Sequence, residues 1–238
     1  MLNCPHCGGL VEENADICPS CQQPLAAPNQ APSGIMIQPG KYLKEGWELF
    51  KQYPGGFVGF TLLFVFIQAI LNYLPWLGGA IGLAIDGPLG VGFYVVSAKL
   101  LQRRTPEFRD FFAGFNFFLP LVLVSVISGL LIVLGLVFLI LPGIFLMVCY
   151  LFPSFIVLDR RLDFWPAMEL SRLTVQKQWF GFFVFLLLLI LVNLGGALVV
   201  GLGLLVSFPV SACAVAAAYN DIFGLQSDYS GDIPRLKA

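Results

Sequence analysis

The chain has 238 residues, 58% of them hydrophobic and only 11% charged, with a mean hydropathy of +0.85 and a net charge of −1. A soluble domain carries roughly 25% charged residues, and a water-facing surface cannot be assembled from so few. The same figures exclude a disordered chain and give no electrostatic case for binding nucleic acid. An all-α integral membrane protein with a small N-terminal module is expected.

The module comes first, at 1–23. Cys4-Pro5-His6-Cys7 and Cys18-Pro19-Ser20-Cys21 are two Cys-x-x-Cys pairs separated by ten residues. Two such pairs place four thiolates at the corners of a tetrahedron, which suits a structural zinc ribbon with Zn–S of about 2.3 Å. Iron in a rubredoxin-like site uses the same ligands. A closed four-cysteine site leaves no open coordination position, so its role is structural. His6, the chain's single histidine, reads as a spacer within the first knuckle. Residues 24–40, with Pro24, Pro28, Pro32 and Pro39, read as a flexible linker. An extended proline-rich chain of that length reaches about 50 Å, enough to present the ribbon to a protein partner.

From residue 41 to 225 the pattern is that of a membrane domain. The 13 lysines and arginines fall in clusters separated by stretches 52–98, 110–159 and 178–234 that hold none. A helix of 50 residues would be about 75 Å long, against about 30 Å for the hydrocarbon core. Each stretch therefore crosses twice, as a hairpin, with spans at roughly 56–76, 79–99, 118–139, 143–158, 180–200 and 202–220. Three hairpins return every basic cluster to one side, which the positive-inside bias makes the cytoplasm. Both termini, including the short tail 226–238, are then cytoplasmic, and the four cysteines face a reducing compartment that disfavours disulfides.

An interfacial helix is expected before each hairpin. In 41–53, Leu43, Trp47 and Phe50 form an apolar stripe among Lys44, Glu45, Glu48 and Lys51. Thr105-Pro106-Glu107 has the composition of a helix start leading into Phe108, Phe111, Phe112 and Phe115. Asp163 caps a third, with Trp165, Met168 and Trp179 as anchors and Glu169, Arg172 and Gln176 on the wet side. The returning arm of each hairpin carries a proline, at Pro88, Pro142 and Pro209, so the chain reads as a degenerate threefold repeat.

Asp86 is the one charged residue left for the far half of the membrane, and it is the candidate functional acid. Its 17 residues from Arg103, about 26 Å of helix, place it at the outer interface beside a helix-breaking Gly87-Pro88. Gln68, Asn72, Ser125, Ser128, Asn193, Ser207 and Ser211 are scattered polar groups of the kind that bridge helices. Gly55-x-x-x-Gly59, Gly78-x-x-x-Gly82 and Ala197-x-x-x-Gly201 read as packing motifs, and Cys149 and Cys213 as small buried apolar residues. No nucleotide loop, nucleophile triad or metalloprotease pair is present, so no enzyme is expected.

The Cys-Pro-x-Cys-Gly head, Gly87-Pro88-Leu89-Gly90 leading to Lys99 and Arg103-Arg104, Asp159-Arg160-Arg161 leading to Ala167, Ser171 and Trp179, and Phe208-Pro209 followed by Ala217-Ala218-Tyr219 form a recognisable series. Over about residues 40–225 the chain resembles bacterial multi-pass proteins similar to the membrane domain of membrane-anchored glycerophosphodiester phosphodiesterases. The resemblance implies a six-span fold in a bacterial cytoplasmic membrane. These 238 residues hold no phosphodiesterase barrel, so that activity does not follow. The function expected is a non-enzymatic membrane protein with a cytoplasmic zinc ribbon as interaction module, acting in envelope or lipid homeostasis. The alternative is a small transporter or lipid-handling protein that uses Asp86.

Overall fold

The computed structural model describes residues 2–3, 10–11, 36–73, 77–198 and 202–227. The chain divides into two units, Met1–Ser33 and Gly34–Ala238. In the first, β1 (Leu2–Asn3) and β2 (Leu10–Val11) pair antiparallel, with Leu2 opposite Val11 and Asn3 opposite Leu10. The four cysteines, His6, most of the expected linker and the tail from residue 228 lie outside the described residues.

The second unit is helical. Six segments among its described residues are long and apolar enough to cross a bilayer: Pro54–Leu71, Ala84–Leu101, Phe108–Phe138, Ile140–Arg160, Phe164–Leu198 and Leu204–Phe223. It is a multi-pass membrane domain. The helices are α1 (Pro39–Gln52), α2 (Pro54–Asn72), α3 (Leu77–Leu101), a 3-10 segment (Phe108–Phe117), α4 (Phe118–Phe138), α5 (Ile140–Cys149), α6 (Pro153–Arg160), α7 (Phe164–Val175), α8 (Trp179–Leu198) and α9 (Leu204–Phe223).

Long helices pair as antiparallel arms: α2 with α3, α4 with α5, and α8 with α9. The shorter helices then dock in a cycle, each on the returning arm of the hairpin before it. The 3-10 segment lies along α3, α7 packs on α5 and α6, and α1 closes the cycle by packing on α9. Glycine makes two of these docks close. A Cβ on Gly46 would lie 2.6 Å from the Ala214 backbone, and one on Gly114 would lie 2.1 Å from the Pro88 carbonyl. The buried core follows the docks. Val91, Phe93, Tyr94, Val95, Val96 and Ala98 of α3 and Cys213, Ala214 and Ala216–Tyr219 of α9 are all essentially inaccessible.

The docking shifts several expected faces. On α1 the buried stripe is Tyr42, Gly46, Leu49 and Phe50, and Trp47 is 44% exposed, because the α9 backbone approaches at a position where only hydrogen fits. α1 begins at Pro39 and Ile37 already donates its amide to Gln178, so the last residues of the expected linker belong to the fold. The element after Thr105 is a 3-10 segment capped by Glu107 and Asp110, whose side chains satisfy each other's backbone N–H groups in a capping box. Asp163 does cap α7, accepting from the Phe164 amide at 2.8 Å.

Prolines act differently from expectation. Pro88 and Pro209 lie inside continuous helices, so Gly87-Pro88 does not break α3. Pro153 does interrupt: the span expected at 143–158 is two helices, α5 and α6, separated at Tyr150–Phe152. Pro153 has no N–H to offer the Cys149 carbonyl one turn back. Ser171 Oγ of α7 donates to that carbonyl instead, at 2.7 Å, so the break and the α7 dock are one feature. Past the ends of α3, α6 and α9 the chain turns through positive φ at Arg103 (57°), Arg161 (53°) and Gly224 (68°), a terminus repeated with the threefold pattern.

Candidate functional site

Asp86 lies ten residues into α3, partly buried, and accepts a hydrogen bond from Gln68 Nε2 of α2. The acid therefore joins the two arms of the first hairpin. The third hairpin is joined in the same way. Asn193 Nδ2 of α8 donates to Ser211 Oγ of α9 at 2.7 Å, and Ser207 Oγ donates back to Asn193 Oδ1 at 3.2 Å. Gly196 and Gly203 bring these arms into backbone contact, since a Cβ on Gly203 would sit 2.4 Å from the Gly196 carbonyl. In the second hairpin the joint is steric, with Gly135 against Gly143. Of the glycines in the expected motifs, a Cβ on Gly82 would lie 3.4 Å from Gln68 and one on Gly59 3.8 Å from Phe108, while one on Gly55 would meet nothing within 4 Å.

Hydroxyls elsewhere in the long helices turn inward on their own backbone. Thr61, Ser97 and Ser128 each donate to the carbonyl four residues back, at 2.6–2.8 Å. This satisfies a buried hydroxyl without a partner helix. Ser97 Oγ also approaches Cys213 Sγ at 3.3 Å, and Cys149 and Cys213 are both free and buried.

Three further acids tie the docked helices, and sequence reasoning had assigned none of them a role. Asp110 of the 3-10 segment pairs with Lys99 of α3 at 2.7 Å, each side chain 11% exposed. Asp221 of α9 accepts from Tyr42 Oη at 2.7 Å and from Lys41 Nζ at 3.0 Å on α1. The hydrogen bond and charge of Asp221 hold the Lys41 ammonium above its ordinary pKa. Burial, then the same carboxylate, raises the Tyr42 phenol, which stays a donor.

Asp159, at the end of α6, is held by several donors. Its carboxylate accepts from Tyr219 Oη at 3.0 Å and from the Gln226 and Ser227 amides at 3.0–3.2 Å, while Ser227 Oγ donates to its carbonyl. Arg160 beside it donates to the Phe223 carbonyl at 3.2 Å and lies over the Phe223 ring. The end of α6 thus holds the chain leaving α9, and Gln226 and Ser227, the first residues of the expected cytoplasmic tail, are bonded to it. One signal was present in the sequence: Asp110, Asp159 and Asp221 each stand at the boundary of an apolar run, where an acid needs a specific partner.

The four cysteines, Cys4, Cys7, Cys18 and Cys21, lie outside the described residues. What the structure offers is the pairing of β1 with β2, which brackets 4–9 with the first Cys-x-x-Cys inside the connection. By its chemistry a four-sulfur donor set is one that fits zinc. Among the described residues no group of three or more His, Cys, Asp or Glu is placed to hold a metal.

Comparison with protein-family models, with curated proteins and with solved structures finds no match to this chain.

Proposed function

We propose that the protein is a non-enzymatic scaffold of a bacterial cytoplasmic membrane. Its three hairpins cross the bilayer from the cytoplasmic side, with α1, the 3-10 segment and α7 at that interface and both termini in the cytoplasm. Cys4, Cys7, Cys18 and Cys21 hold one structural zinc, and the ribbon so formed recruits a protein partner. The resemblance to the phosphodiesterase membrane domains agrees with this placement and brings no activity with it.

One observation carries the reading. The acids in the membrane domain that could do chemistry hold helices together: Asp86 with Gln68, Asp110 with Lys99, Asp159 with Tyr219 and the α9 exit, and Asp221 with α1. An acid engaged this way is a positioning group. Asp86 is therefore a joint of the first hairpin in this proposal and not a coupling acid.

The test is metal analysis of the purified full chain, followed by photo-crosslinking from the ribbon in cells. One zinc per chain is expected, lost when Cys18 and Cys21 are both changed to Ser, together with the crosslinked partner, while membrane insertion is kept. Iron in place of zinc would correct the metal. A crosslinking pattern indifferent to the cysteine changes would overturn the recruitment role.

A further inference from the structure

A groove of about 620 Å3 opens between α1, α8 and α9. Leu43, Lys44 and Trp47 of α1 form one wall, and Val192 of α8 with Val206 and Val210 of α9 form the other. From Val210 it follows α9 to Gly203, seven residues, or about 10 Å of helix.

Its two walls belong to different media. On α1, Lys41, Lys44, Glu48 and Lys51 make an exposed charged face that requires water or headgroups. The α8 and α9 walls come from helices apolar enough to lie in hydrocarbon. A groove shared by both crosses the boundary between them, with Trp47 at the crossing, where an indole prefers to sit.

The charge on the groove is uncompensated. Glu45 and Asp221 both lie on Lys41, and Glu48 lies on Lys51. Lys44 makes no hydrogen bond or ion pair with the described residues, and no carboxylate lines the groove with it.

We propose that this groove binds an anionic phospholipid. The phosphate lies on Lys44 Nζ, the glycerol region against Trp47, and one acyl chain along Val192, Val206 and Val210. The shape alone would accept any lipid, and the unpaired ammonium selects the anionic one. The inference rests on the interfacial position of α1 proposed above and is independent of the ribbon.

The experiment is native mass spectrometry of the full chain released from nanodiscs of equal phosphatidylglycerol and phosphatidylcholine. One retained phosphatidylglycerol per chain is expected. Lys44→Gln should lower its occupancy about fivefold, the effect of one surface cation. Lys51→Gln, which removes the same charge from a residue already paired with Glu48, should leave it unchanged. Val206→Trp, which fills the apolar wall and spares Lys44, should also displace the lipid, with an unaltered thermal transition in lipid-free detergent reporting an intact fold. Equal retention of the two lipids, or equal phosphatidylglycerol in the wild type and Lys44→Gln, would overturn the site. The Cys18→Ser, Cys21→Ser chain should keep its lipid, so this proposal and the recruitment role fail separately.

Discussion

The two ends of the hairpins are built by different rules. Where α3 and α9 are wrapped by the 3-10 segment and α1, nearly every side chain is inaccessible, and Asp110, Asp159 and Asp221 are held by named donors. At the α4–α5 turn, Val137, Phe138, Leu139, Ile140 and Leu141 are 67–80% exposed and carry no polar atom beyond the backbone. On the placement proposed above, the docked helices meet water on their outer side, where burial can draw on the hydrophobic effect, and the wrapped end packs as a soluble core does. In lipid that drive is missing, and arms stay together through close backbone approach and a few hydrogen bonds. The wrapped end should therefore hold most of the stability, and the turns should tolerate much more change.

The sharpest way to break this contrast is a matched pair of substitutions. Gly46→Leu drives a side chain into the Ala214 backbone and should cost about 3 kcal/mol, read as lost monodisperse protein and a lower thermal transition. Gly129→Leu, where a Cβ meets nothing within 4 Å, should be close to neutral. Comparable losses at both positions would mean that the wrapped end has no special weight.

Next in size is Asp159→Ala, which leaves the Tyr219 hydroxyl and two backbone amides without their acceptor. A loss of about 2–3 kcal/mol is expected, with faster proteolysis after residue 223. An unaltered cleavage rate would show that the seal at the α9 exit forms without the carboxylate.

Ser171→Ala should cost about 1–2 kcal/mol, because the Cys149 carbonyl is left buried and unpaired. Pro153→Ala restores an N–H one turn away, so the double variant should recover part of that loss. The coupling would be read from a double-mutant cycle in thermal or denaturant unfolding. Additive losses would mean that the break and the dock are unrelated.

The smallest effects belong to the bare arms. Asp86→Leu should cost about 0.6 kcal/mol, the typical value of a hydrogen bond between membrane helices, and Asp86→Asn should cost less because its amide oxygen still accepts from Gln68. A large loss from Asp86→Asn in stability assays would mark the acid as more than a joint.

This contrast also separates what the sequence could tell from what it could not. The six spans were legible because bilayer thickness imposes a length on apolar runs, and charge clustering marked their ends. The cap at Asp163 was legible because a cap is local. Gly46 was not, because its meaning depends on Ala214, and nothing near Gly46 announces that partner. Asp159 stood in plain view beside Arg160 and Arg161, but its donors lie at 219, 226 and 227 and become neighbours only after the cycle closes. Pro153 and Pro88 look alike in sequence, yet one lies at a break between helices and the other inside a continuous one, and the Ser171 hydroxyl that serves the carbonyl freed at Pro153 comes from a helix distant in the sequence.

Closing the cycle with the first helix on the last has a consequence for synthesis. Tyr42 and Asp221 are 179 residues apart, so α1 leaves the ribosome long before its dock exists. At about 5–20 residues per second it waits roughly 10–35 s with Tyr42 lacking its Asp221 partner and Gly46 lacking the Ala214 backbone, while Leu49 and Phe50 can already pack on α2 and α3. On the interfacial placement proposed above, α1 rests on the membrane surface during the wait, and the later hairpins insert before its dock on α9 can form. Any chain that stops before α9 leaves Tyr42 and Gly46 without their α9 partners, so the last helix made completes the packing of the first.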